Sequence, residues 1–182
     1  VIGPAPDAVD GAVVLDDPID SQASKIDESS LRRLCSIHGI PFEDILVPSE
    51  QDRPHLPPTG YTTCNKFMCW VGSVPPFNSF IREVLQYIGI APAQLHPNSH
   101  AFIHGTCVLF MSILLRPPTP EDIHYIYCFK RRTDSPSYLF FEPHPKFQVL
   151  MGAWNKFYQF KQEWFHVRYP LGFARRWLEG RK

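Results

Sequence analysis

The 182-residue chain has no long hydrophobic run. Its most apolar stretch, Ala101 to Leu115, is broken by His104, Gly105, Thr106 and Ser112, short of the ~18 apolar residues a membrane span needs. A buried helix is expected there, and no membrane partner. Regular cysteine spacing is also missing. Cys35, Cys64, Cys69, Cys107 and Cys128 form an odd, irregular set, which fits reduced thiols better than a disulfide framework. An intracellular protein, nuclear or cytoplasmic, is therefore expected. Cys64 and Cys69 lack the close pair of a zinc knuckle, and no Cys/His quartet completes them.

Catalytic motifs are missing as well. There is no G-x-x-x-x-G-K-[ST] and no G-x-S-x-G. Asp16-Asp17 lacks the preceding aromatic of a polymerase pair, and Asp134-Ser135-Pro136 has proline where an aspartic-protease turn needs glycine. A two-metal recombinase gathers three carboxylates. The second half offers only Glu121, Asp122, Asp134, Glu142, Glu163 and Glu179, and the first two read as helix-start acids. No catalytic residue, cofactor or small-molecule substrate is expected, and the chain is read as not an enzyme. His96, His100 and His104 recur at steps of four, a spacing that can hold a metal, but no carboxylate stands at a matching step. Packed or surface histidines are expected instead, and no metal.

What is present describes a folded domain. The hydrophobic share is 44%, with fourteen Phe, which excludes global disorder. Nineteen Pro imply short elements joined by proline-punctuated loops. Net charge is zero, yet residues 1–91 carry six basic against twelve acidic side chains, and residues 92–182 the reverse. Such segregation suits a basic nucleic-acid face or head-to-tail self-association, and it is equally open to being incidental, because the halves fold together and their charges mix in space.

The order of elements follows from periodicity. Residues 1–27 are acidic, Pro/Ala-rich and read as a flexible leader, and a chain beginning with Val1 reads as a piece whose start is missing. Ser29 or Ser30 is expected to cap a helix ending at Gly39. Pro41 to Tyr61 reads as a loop with Ile45-Leu46-Val47 tucked in, and Thr62–Val71 as a short strand or irregular segment. Phe77, Phe80, Ile81, Val84, Leu85 and Ile88 step by three and four along one helix face, stopped by Gly89. Asn98 or Ser99 then caps a second helix, apolar nearly all round, to Leu115. These two helices form the expected central hairpin, with Phe77, Phe80, Ile81, Val84, Leu85, Leu95, Phe102, Val108, Leu109, Ile113 and Leu114 buried. Thr119-Pro120-Glu121-Asp122 starts another helix, read through to Lys130 so that Lys130-Arg131-Arg132 sits at its end. Tyr138–Glu142 and Phe147–Met151 read as two paired strands and Trp164–Tyr169 as a third. The fold class expected is α+β: a mostly helical core on the central hairpin, then a small antiparallel sheet.

Several runs also carry a resemblance. Arg53, Pro57-Pro58-x-Gly60-Tyr61, Pro76-Phe77-x-x-Phe80 with Val84-Leu85, and Ile90-Ala91-Pro92-x-Gln94-Leu95-x-Pro97-Asn98 occur in a recognisable order. Phe140-Phe141-x-Pro143, Trp154-Asn155-Lys156, Trp164-Phe165-x-Val167-Arg168 and Pro170-Leu171-Gly172-Phe173 with Trp177 continue it. The chain thus resembles the gypsy-type transposon domain of plant retrotransposon-derived proteins over roughly residues 45–177. Trp usually stands at the place of His100 in that pattern. The resemblance implies one domain at residues 28–178, followed by a short tail at 179–182, in a protein derived from a mobile element, without assigned catalytic residues and less suited to a transposase-type enzyme than to an assembly or interaction module. The alternative is nucleic-acid binding through a basic and aromatic C-terminal face. Its candidate residues are Lys130, Arg131, Arg132, Arg168, Arg175 and Arg176, with Trp154, Phe157, Tyr158, Phe160, Trp164, Phe165 and Tyr169 interleaved and able to stack on bases. The favoured reading of the same pattern is that these aromatics are core and the cations are the solvated face of the same strands, because a domain of this size buries most of its aromatics.

Overall fold

The computed structural model describes residues 23–132, 135–147, 157 and 160–168. It is an α+β domain with helices α1 (Glu28–His38), α2 (Lys66–Trp70), α3 (Ser79–Ile88), α4 (Pro97–Ile113) and α5 (Pro120–Ile126). Strands β1 (Ile45–Leu46), β2 (Tyr61–Asn65) and β5 (Trp164–Arg168) form one antiparallel sheet in the order β1-β5-β2. Strands β3 (Tyr127–Arg132) and β4 (Ser135–Pro143) form a second, antiparallel pair.

Local chemistry accounts for each boundary. Asp27, rather than Ser29 or Ser30, caps α1: its carboxylate accepts from the Ser30 amide at 2.8 Å and the Ser29 hydroxyl at 2.6 Å. Those bonds favour the ionised carboxylate and hold its pKa down at about 2. Gly39 ends α1 in the left-handed conformation, and Gly89 ends α3 the same way. Helix α4 begins earlier than its sequence suggested. Pro97 occupies the first helical position, where its missing N–H is no loss, and His96 accepts from the Asn98 amide at 3.1 Å. Asn65 ends β2 and caps α2, so the ambiguous segment after Tyr61 is a strand and then a one-and-a-half-turn helix.

The helix from Thr119 is shorter than expected. It stops at Ile126, and Tyr127 is already extended. The residues that follow fit both periods: Ile123, Ile126, Tyr127 and Lys130 step like a helix, but Tyr127, Phe129 and Arg131 also alternate with Cys128 and Lys130. The strand prevails because Tyr127 and Phe129 then stack with Phe141 of β4, at 5.7 and 4.7 Å between ring centroids. β4 therefore pairs with β3. The strand expected over Phe147–Met151 lies outside the described residues after Phe147.

The core collects Leu31, Leu34, Cys64, Met68, Ile81, Val84, Leu85, Leu95, Ile103, Ile123, Tyr127 and Phe165, each 3% exposed or less. α3 packs mainly on α5, whereas α4 packs on α2 and β4. The Gln94 to Ser99 run stitches α4 to β4: Gln94 donates to the Ser137 carbonyl at 3.0 Å, the His96 amide to Leu139 at 2.8 Å, and the Phe141 amide to the Ser99 hydroxyl at 2.8 Å. The chain before α1 is partly docked, which moves the edge of the expected leader. The Lys25 amide donates to the Gln162 carbonyl at 2.7 Å, Ser24 to the Trp164 carbonyl at 2.6 Å, and Ile26 is buried. The remainder of the leader, residues 1–22, lies outside the described residues, as does the tail at 179–182.

Candidate interaction surface

Helix α4 contains no Asp, Glu, Lys or Arg. A helix of that composition needs neighbours on all sides, but only its first half has them. Ala101, Phe102, Ile103 and Thr106 are buried. Val108 is 66% exposed, Met111 50%, Ile113 67%, Leu114 52% and Leu115 84%. The expected burial of Val108, Ile113 and Leu114 is thus overturned, and Leu109 is only partly covered. The reason is geometric: α4, at 17 residues, runs past the elements that flank its start. At the same time, no helix among the described residues is long and apolar enough to cross a membrane.

Leu115 has a further peculiarity. Its φ is 53°, the left-handed conformation that normally falls to glycine one residue beyond a helix end. A β-carbon there is strained, and the side chain is almost fully exposed. Beside it, Arg116 stands 5.2 Å from the Phe110 ring and pairs with Asp122 at 2.7 Å. This neighbouring cation is therefore already matched within the chain.

The histidine trio is a packing device. His100 donates from Nε2 to the Pro92 carbonyl at 3.1 Å, because that oxygen can only accept. Its Nδ1 must then accept the Ser73 hydroxyl proton at 2.9 Å, and the Ser73 oxygen accepts from His104 Nε2 at 3.0 Å. Burial pushes His100 down to about 3 and lowers His104 as well, so the relay is built from neutral rings. His96 is committed to capping and rests edge-on against Phe160. Both His100 nitrogens are occupied, and no cluster of three metal-binding groups occurs among the described residues. Ser73 is 1% exposed and gives its proton to an imidazole that substrate cannot reach, so this Ser–His contact is not a nucleophile.

A second polar cluster was not foreseen from sequence. His166 and Thr63 face each other across β5 and β2. Thr63 donates to the Pro54 carbonyl at 2.6 Å and so accepts from His166 Nδ1 at 3.1 Å. Burial lowers His166 to about 4. Strand alternation alone could have suggested its burial, since Phe165 and Val167 cover the opposite face.

Lys130, Arg131 and Arg168, the basic candidates whose side chains are described, are not gathered on one face. On a strand, successive side chains alternate, so Lys130 and Arg131 project from opposite faces of the β3–β4 hairpin. Lys130 is ion-paired with Glu142. Arg168 belongs to the other sheet, 3.8 Å from Asp44 and 6.0 Å from the centre of the Tyr61 ring. The Tyr61 hydroxyl and the acids near it favour its charged form. The side chain of Arg132, and Arg175 and Arg176 altogether, lie outside the described residues. Of the aromatic candidates, Phe160, Trp164 and Phe165 are buried and cannot stack on bases. Phe157 packs against Phe67 at 5.2 Å; Trp154, Tyr158 and Tyr169 lie outside the described residues. No protein-family model, curated protein or solved structure matches the chain.

Proposed function

We propose that this domain is a non-catalytic assembly module that pairs with a second copy of itself through the apolar end of α4. The observation that carries the reading is the exposure of Val108, Met111 and Ile113 at the end of a helix without a charge, and of Leu114 and Leu115 just beyond it. Contiguous apolar surface of a few hundred Å² on a monomer marks an interaction site. A face with no charge offers nothing to an acidic or basic partner but is complementary to itself, and a two-fold axis satisfies both copies at once. Doubled by that symmetry, it buries on the order of 1,000 Å², the lower range of specific interfaces. Leu115 supports the reading, because a strained, exposed leucine is retained where glycine would relieve the backbone. The resemblance to a gypsy-type transposon domain, a family without assigned catalytic residues, is compatible with it.

Light scattering after size exclusion, across a concentration series, tests this. The expected result is a concentration-dependent dimer that I113D/L115D converts to monomer with unchanged circular dichroism. A monomer at every concentration overturns it.

The nucleic-acid reading keeps second place on the exposure of Lys130 and Arg131. Its test is titration with single- and double-stranded DNA and RNA in a salt series, where binding weakens steeply as salt rises. Absence of binding at low salt removes it.

A further inference from the structure

The β3–β4 hairpin turns Tyr127, Phe129 and Phe141 towards the core and Cys128, Lys130 and Glu142 away from it. His144 follows β4 and is fixed by its backbone, with its N–H on the Ile126 carbonyl at 2.9 Å and its carbonyl accepting from Phe147 at 2.8 Å. The Cys128 sulfur lies 3.3 Å from His144 Nδ1 and 3.4 Å from Nε2. Near-equal distances place it over the ring between the nitrogens, so a modest rotation of the imidazole, a soft torsion, aligns either one. Glu142 is the cross-strand neighbour of Cys128, and a bare carboxylate there would oppose a thiolate. Lys130 holds that carboxylate in an ion pair and brings its own positive charge to the same face. The other thiols differ. Cys35, Cys64 and Cys69 are buried, and burial pushes all three up, Cys69 to about 12. Cys107 is half-buried like Cys128, but no histidine among the described residues stands in hydrogen-bond contact with it.

We infer that Cys128 is a peroxide-reactive thiol, with His144 as the group that takes its proton. His144 removes the S–H proton, and the thiolate attacks one oxygen of a hydroperoxide. An S–O bond forms and the O–O bond breaks. The departing oxygen leaves with the bond pair and takes the proton back from the imidazolium, as water when the oxidant is hydrogen peroxide. Sulfur is oxidised by two electrons to the sulfenic acid and the peroxide is reduced by two, so no further reactant is needed. This site is independent of the α4 surface.

The test treats the reduced, folded chain with hydrogen peroxide, traps sulfenic acid with dimedone and follows each cysteine peptide by mass spectrometry. Cys128 is expected to be tagged at least about tenfold faster than Cys107, because His144 stands within reach of its proton. His144→Gln should remove about that factor at Cys128 and leave Cys107 unchanged. Lys130→Met should slow Cys128 as well, by exposing it to unpaired Glu142. Equal rates at Cys128 and Cys107 in the wild-type chain overturn the inference, as does a His144→Gln chain that reacts like wild type. Tagging of Cys35, Cys64 or Cys69 would report a variant that has opened, and the wild-type comparison then decides alone.

Discussion

The two halves of α4 are alike in composition and opposite in circumstance. From Pro97 to Thr106 the helix is embedded: Ser99, His100, Ile103 and Thr106 are each 1% exposed or less. From Cys107 onward the same absence of charge meets solvent. Where an uncharged helix is covered, it builds the fold; where it is not, it is a surface that awaits one. The first half also shows how polar groups enter such a core. His100, Ser99 and Thr106 are each paired, the last with the Tyr127 hydroxyl at 3.1 Å. Among the described residues the second half shows no comparable network, and its exposed apolar side chains are those of the proposed contact.

The largest effect that separates the halves is a deletion of side-chain volume. Ile103→Ala should lower the unfolding free energy by about 2–5 kcal/mol, since Ile103 is fully buried and leaves a cavity. Ile113→Ala, the same substitution ten residues on, should change monomer stability by no more than ~0.5 kcal/mol. Urea denaturation at a concentration that keeps the chain monomeric measures both. Similar losses at the two positions would mean that the end of α4 is covered within the chain after all.

Acid should act on the embedded half alone. His100 is held neutral by burial, with its folded value near 3 against 6.5 for a free imidazole. The unfolded state therefore binds the extra proton first, and stability falls as pH drops below about 6.5. His100 alone should cost roughly 1.4 kcal/mol per pH unit between about 6 and 4. His166, with its folded value near 4, adds to the slope over the same window. Denaturation midpoints at pH 7, 6 and 5 give the slope, and His100→Asn should reduce it. A flat profile would place His100 in contact with water.

Much of this was legible in the sequence, for identifiable reasons. Gly39 and Gly89 end their helices where expected, because only a residue without a β-carbon sits easily in the left-handed region. Thr119-Pro120 starts α5 as expected, since the cap and the missing N–H are local matters. What failed depended on neighbours distant in the chain. Tyr127 to Arg132 fit two periods, and only stacking on Phe141 decided between them. The burial of Val108, Ile113 and Leu114 was inferred from composition, which says that a face prefers cover and not that the fold supplies it. Within the site, the apolar residues were visible but their exposure was not, and the histidine relay needed Ser73, 27 residues from His100 in the chain.

The smallest effect is the most discriminating, because its sign differs between the single chain and the pair. Leu115 is at φ 53° with a side chain 84% exposed, so Leu115→Gly removes backbone strain and almost no contact within the monomer. The glycine also makes the unfolded chain more flexible, which offsets part of the gain. The net result should be a monomer more stable by about 0.5–1 kcal/mol. Self-association should weaken at the same time, because the substitution deletes a side chain from the centre of the proposed contact. Urea denaturation at low concentration and sedimentation at high concentration read the two effects separately. A destabilised monomer would show that Leu115 packs within its own chain, and an unchanged dimer would exclude its side chain from the interface.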